Sequence, residues 1–64
     1  MVTIHASSEM VAIAKAVDVL LRGVHGQLRD TLAEQIYAQY FAHSSSGGGI
    51  EEFLASHNIQ VQWE

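Results

Sequence analysis

The sequence predicts a small, mainly helical α+β domain with the element order β-α-α-α-β. Two short segments at the ends of the chain alternate apolar and polar residues. Three segments between them carry apolar residues at helical spacing, and glycine-containing breaks separate these segments. Residues 1–64 are therefore predicted to form one small domain with a short strand at each end.

The first two elements are a strand and an unusually apolar helix. Val2 and Ile4 alternate with polar neighbours over residues 1–5, which is the pattern of a half-buried strand. Ser7 and Ser8 are candidate N-caps for a helix that runs to about residue 22. The large apolar side chains of this helix are predicted to share one face: Met10, Ile13, Val17, Leu20, Leu21 and Val24.

A break between the first and second helices is predicted at residues 23–26. Gly23 directly follows Arg22, an arrangement that commonly ends a helix. One continuous helix over residues 8–43 is the alternative, but at over about 50 Å it would leave a small domain little to pack against. The second helix is predicted over residues 27–42, with an apolar stripe that packs on the first helix: Leu28, Leu32, Ile36 and Tyr40.

The last part of the chain is predicted to hold a loop, a third helix and a second strand. Residues 43–49 have the Ser/Gly composition of a flexible linker, whether natural or engineered. Residues 50–57 are predicted to be helical, with Ile50, Phe53 and Leu54 facing inward and Asn58 ending the helix. Residues 59–63 alternate as a strand does. The terminal strands are expected to pair with each other or with their copies in a second chain.

Homodimerisation is expected to complete this fold. The first helix is apolar nearly all round, and such helices are normally buried on more than one side. A chain of 64 residues without cysteine has little else with which to stabilise itself. Four residues are predicted to lie at an interface: Val11, Val19, Tyr40 and Trp63.

The alanines of the first helix are predicted to face the neighbouring chain. Ala12, Ala14 and Ala16 would allow a second helix to approach closely. A charged substitution at Val11 or Val19 is therefore expected to weaken self-association more than changes at the polar stripe of this helix do.

The charge of the chain argues against nucleic acid and membranes as partners. The formal net charge is −4, and the three basic residues, Lys15, Arg22 and Arg29, are scattered. Binding to nucleic acid depends on clustered Lys and Arg that neutralise phosphates. No signal peptide or membrane-spanning segment is recognisable, so a cytoplasmic location is expected.

No residue is predicted to be catalytic or to bind a cofactor or metal. The four histidines, at positions 5, 25, 43 and 57, lack the i, i+4 spacing of helical metal ligands, and no cysteine supports them. Ser44, Ser45 and Ser46 follow His43 without being a positioned nucleophile and base. The glycine run before the third helix lacks the lysine of a phosphate-binding loop. A histidine-bound metal is the remaining enzymatic hypothesis.

The preferred functional hypothesis is a non-enzymatic protein–protein interaction module, such as an inhibitor, adaptor or assembly factor. Excess apolar surface without a chemical motif is its basis. The alternative is a small transcriptional regulator, because the order strand-helix-helix is similar to that of ribbon-helix-helix proteins. That resemblance covers the element order alone, since residues 2–5 carry no basic or amide side chain for reading base edges.

Overall fold

The computed structural model describes all 64 residues and contains the five predicted elements in the predicted order. They are β1 (Val2–Ala6), α1 (Glu9–Leu20), α2 (Gly26–Ser45), α3 (Ile50–Ala55) and β2 (Ile59–Trp63). The fold class predicted from the sequence, α+β and mainly helical, is thus confirmed. None of the three helices combines the length and the apolar character needed to cross a bilayer.

The two strands pair with each other in a parallel two-stranded sheet. Val2 lies opposite Ile59, and Ala6 lies opposite Trp63. Parallel neighbours require a long crossover connection, which the three helices provide here. The helices pack on one face of the sheet, and the other face exposes polar side chains: Thr3, His5, Gln60 and Gln62.

The core lies between this sheet and the helices. Its largest fully buried side chains are Ile13 of α1, Leu54 of α3 and Ile59 of β2. Ten buried residues form one cluster, to which α2 contributes only Tyr40: Ile4, Ala6, Ala12, Ile13, Ala16, Tyr40, Ile50, Phe53, Leu54 and Ile59. The inward positions predicted for the third helix are therefore correct.

Helix α1 buries Ile13 and Val17 of its predicted apolar face, and it also packs through two of its alanines. Ser8 caps it as expected, because its hydroxyl accepts a hydrogen bond from the Val11 N–H at 3.3 Å. Met10, predicted to share that face, is 62% exposed. Ala12 and Ala16, predicted to face a second chain, are fully buried inside their own. Small side chains at these two positions let α1 lie close against β1, with which they share the core.

Two separate helices precede the loop, as the sequence favours. Gly23 follows α1 with a φ of 87°, in the left-handed region that glycine adopts without steric cost. Helix α2 then leaves the core at its N-terminal end: Tyr40 is buried, Ile36 is half-buried and Leu28 is 61% exposed. The prediction that the whole stripe packs on α1 is wrong at Leu28, because only the C-terminal half of α2 lies on the core.

The connection from α2 to α3 is shorter than predicted. Helix α2 continues to Ser45, so that residues 46–49 alone join the two helices. The backbone N–H of Ser46 still donates to the Ala42 carbonyl at 3.2 Å, which extends the helical hydrogen bonding through the polar residues. Gly48 lies so close to the His43 ring that a Cβ at this position would overlap it. Gly48 therefore has a packing role, because only glycine fits beside the His43 ring.

Helix α3 ends earlier than predicted, at Ala55, and Asn58 follows with a φ of 62°. Asparagine tolerates this left-handed conformation better than most residues do. The turn redirects the chain into β2, so Asn58 ends the helical segment as its position in the sequence indicates.

Candidate functional site

The four residues predicted at an interface do not form one surface. Trp63 is 40% exposed at the end of β2, and Val11 is 36% exposed near the start of α1. Val19 is half-buried and packs against the core cluster. Tyr40 is only 5% exposed and belongs to that cluster. The interface itself remains a prediction, and within the single chain Trp63 and Val11 are the members that a partner reaches without rearrangement.

Trp63 is held in place although it lies one residue from the end of the chain. Its indole N–H donates a hydrogen bond to a carboxylate oxygen of Glu51 in the first turn of α3. The next residue, Glu64, donates its backbone N–H to the Ala6 carbonyl at 2.9 Å, so the strand pairing extends past Trp63. A large aromatic side chain is thereby fixed at the surface between β2 and α3, in the manner typical of an interface residue.

Tyr40 joins α2 to the start of α1 and to α3. Its hydroxyl donates to Glu9 Oε2 at 3.0 Å, and its ring centroid lies 5.7 Å from that of Phe53. Burial, the hydrogen bond to Glu9 and repulsion by the Glu9 charge raise the pKa of the Tyr40 hydroxyl above its ordinary value. The contacts of Tyr40 are those of a core residue that anchors α2.

This raised pKa predicts a loss of stability at alkaline pH. The folded chain keeps the Tyr40 proton at a pH where the unfolded chain releases it, so the contribution is complete below about pH 10 and is lost as the pH rises through the folded pKa. The free energy of unfolding should fall as the pH rises above about 10, and fall less in Tyr40→Phe. Tyr37→Phe is the control. An equal fall in Tyr40→Phe and the unsubstituted chain would contradict the prediction.

The outward surface of α1 is narrower than the sequence indicates. Val11 shares the exposed side of the helix with Lys15 and Asp18, at positions i, i+4 and i+7. Of the three alanines predicted to face a second chain, Ala14 alone is exposed. Sequence reasoning missed this arrangement because small residues carry little hydrophobic signal.

Two further large apolar side chains are exposed on α2, and one of them, Leu28, belongs to the stripe predicted to pack on the first helix. They are Leu28 and Phe41, and Phe41 is 53% exposed beside the Tyr40 ring. Phe41 adjoins Tyr40 in sequence, and neighbouring residues on a helix point in directions about 100° apart. The apolar spacing along α2 alone does not show that Tyr40 is buried and Phe41 is exposed.

The histidines and serines do not assemble into a chemical centre. No group of three or more His, Asp or Glu side chains has the arrangement of a metal site. His43 and His57 lie on either side of Phe53, with ring centroids 5.7 and 5.0 Å from that of Phe53. The Ser46 hydroxyl donates a hydrogen bond to the His43 carbonyl at 2.9 Å, so it satisfies a backbone acceptor in the last turn of α2.

The most distinct concave surface is a groove of 260 Å³ between α3 and β2. Six residues line it: Met1, Glu51, Ala55, Ile59, Gln60 and Val61. It is smaller than typical small-molecule pockets of about 300–1,000 Å³. The lining residues come from α3, from β2 and from Met1, which directly precedes β1.

No protein-family model matches this chain, and no curated protein or solved structure matches it significantly.

Proposed function

We propose that this chain is a small interaction module that forms a homo-oligomer and binds another protein, as an inhibitor, adaptor or assembly factor. One observation carries the proposal: seven large apolar side chains are exposed in a chain with only twelve buried residues. They are Met1, Val2, Met10, Val11, Leu28, Phe41 and Trp63. Exposed apolar side chains that cluster commonly mark a binding site.

The charged groups favour a protein partner over nucleic acid. Two of the three basic side chains already have partners within the chain: Lys15 donates to the His5 carbonyl, and Arg29 forms an ion pair with Asp18. With a net charge of −4, little positive charge is left to neutralise phosphates. A transcriptional regulator that pairs two copies of β1 gains no support either, because β1 pairs with β2. A cytoplasmic location belongs to the same proposal.

We assign Val11 and its neighbour Met10 to the other protein. These residues are consecutive at the start of α1, where Val11 is 36% and Met10 62% exposed. The alanine face that would let a copy of α1 approach closely is used inside the chain, at Ala12 and Ala16. The start of α1 is therefore better suited to a partner with its own complementary pocket.

The experiment is capture from an extract of the source organism on the immobilised chain, followed by mass spectrometry. We expect a specific protein to be retained, and Val11→Asp to retain at least tenfold less of it. Ala14→Asp is the matched control, because it adds the same charge to an exposed position of the same helix. If nothing is retained by the unsubstituted chain, or if both variants retain the protein equally, the assignment of Val11 fails.

A further inference from the structure

Two side-chain contacts show that α1 and α2 lie antiparallel to each other. Asp18 near the end of α1 forms an ion pair with Arg29 near the start of α2. At the other end, Glu9 in the first turn of α1 accepts a hydrogen bond at 3.0 Å from Tyr40 in the last part of α2. The first turn of α1, which includes the exposed Met10, therefore lies beside the C-terminal half of α2.

Phe41 lies on the outer side of α2 at this junction. Successive residues of a helix are about 100° apart, so His43 points nearly opposite to Phe41. The His43 ring contacts Phe53 of α3, which places Phe41 on the side of α2 away from α3. Tyr40, which precedes Phe41, reaches Glu9 of α1. Phe41 is thus exposed next to the start of α1.

Met10 lies on the side of α1 that faces α2. Spacings of seven and eleven residues return to nearly the same direction on a helix, so Met10 is in line with Val17 and Leu21. Both are buried outside the cluster at the sheet, and α2 is the other helix that contacts α1 along its length. Met10, Phe41 and the half-buried Tyr37, one turn before Phe41, therefore form one apolar patch, called here the helix-junction surface.

Negative charge borders the helix-junction surface. Glu34 lies two turns before Phe41 and nearly in line with it, and Glu9 directly precedes Met10. Both glutamates are exposed. The one ion pair of the chain involves neither of them.

No Lys or Arg side chain of the chain neutralises this border. Lys15 donates to the His5 carbonyl, and Arg29 belongs to the ion pair with α1. Arg22 follows the end of α1 and is twelve residues from Met10, which is about 18 Å at about 1.5 Å per residue. The surface therefore combines exposed apolar side chains with uncompensated carboxylates.

We propose that the other protein binds the helix-junction surface through large apolar residues flanked by lysine or arginine. The inference rests on the proposed function, which assigns Met10 and Val11 to that protein, and it specifies the chemistry of the partner. The apolar residues of the partner cover Met10 and Phe41, and its cations neutralise Glu9 and Glu34. Complementary charge of this kind provides specificity and accelerates association.

A second copy of the chain does not have this chemistry. Two helix-junction surfaces in contact would bring Glu9 and Glu34 of both copies together, and like charges across an interface are unfavourable. A small ligand is equally unsuitable, because the groove between α3 and β2 is the one cavity of the chain. The homo-oligomer of the proposed function therefore requires a different surface.

The test is a nuclear magnetic resonance titration of the isotope-labelled chain with two synthetic peptides. One is an amphipathic helix of leucine and lysine, and the other has glutamate in place of every lysine. The lysine peptide should shift the amide signals of Met10, Tyr37 and Phe41 and bind at least tenfold more tightly than the glutamate peptide. Raising the salt from about 0.1 M to about 1 M should weaken its binding at least threefold, because the Debye length falls from about 10 Å to about 3 Å.

Two pairs of variants separate this surface from a general attraction to an acidic protein. Phe41→Gln should raise the dissociation constant of the lysine peptide at least fivefold, whereas Leu28→Gln, also at an exposed position of α2, should leave it unchanged. Glu34→Gln should raise it at least threefold. Glu52→Gln removes the same charge from an exposed position of α3 and should change it less than twofold. Circular dichroism checks that the four variants fold.

Equal binding of the two peptides would overturn the inference, as would equal effects within either pair of variants. Signals of Met10 and Phe41 that move with the concentration of the chain alone would assign the surface to a second copy instead. If the chain captures a protein from the extract but does not bind the lysine peptide, this inference fails and the proposed function stands. If it binds the lysine peptide but captures no protein, the proposed function fails and the chemistry of the surface stands.

Discussion

Replacement of Leu54 by alanine is expected to unfold a large fraction of the chain. Leu54 is fully buried in α3, within the cluster that joins all three helices to the sheet. Truncation of a buried leucine to alanine destabilises proteins by about 2–5 kcal/mol, since it removes apolar contacts and leaves a cavity. A domain of this length typically has a total stability of about 3–10 kcal/mol. The substitution therefore removes a large share of the stability available.

Leu28→Ala is the matched control for this prediction. It makes the same chemical change on α2, where the leucine side chain is 61% exposed, and should alter stability by no more than about 0.5 kcal/mol. Urea unfolding followed by circular dichroism measures both variants, at one protein concentration because self-association would add to apparent stability. Equal effects of the two substitutions would mean that α3 does not form the centre of the core.

The order of the elements was predictable because their signals are local. Ser8 caps α1 through its own side chain, and Gly23 and Asn58 adopt left-handed conformations where the helical segments end. Each of these features depends on residues a few positions away in the sequence. The alternating segments at the ends of the chain likewise predicted two strands. Local chemistry was sufficient to place all five elements.

The pairing and packing of those elements depend on contacts between distant residues, and the sequence predicted them less well. Alternation in residues 59–63 indicates a strand but gives neither its direction nor its neighbour, and the parallel pairing with β1 joins the two ends of the chain. The polar residues from His43 to Ser45 suggested a loop, yet they continue α2. A contact such as that of Gly48 with the His43 ring cannot be predicted from the amino-acid composition of the segment.

The candidate site was predictable only in part, for a related reason. Trp63 is exposed, and the sequence distinguishes it as a large aromatic residue near the end of the chain. The groove beside it requires that α3 lie against β2, which the alternation of residues 59–63 does not show. Tyr40 has the residue type of an interface, but its contacts with Glu9 and Phe53 make it part of the core.

Replacement of Ala16 by leucine tests where the alanines of α1 lie. Ala16 is fully buried and shares the core cluster with Ile4 and Ala6 of β1. A larger side chain has no space between the helix and the strand, and overpacking of this kind typically destabilises by about 1–3 kcal/mol. Ala14→Leu is the control, because Ala14 is exposed on the same helix and should change stability by no more than about 0.5 kcal/mol.

The two substitutions separate packing within the chain from packing between chains. If Ala16 is part of the core, the loss of stability in Ala16→Leu is the same at low and high protein concentration, while the dissociation constant of the proposed dimer changes little among folded molecules. If the alanines instead faced a second copy, Ala16→Leu would disrupt the dimer without unfolding the monomer. Ultracentrifugation and urea unfolding of the same samples distinguish these results. A folded, strictly monomeric Ala16→Leu would place the interface of the proposed dimer on α1.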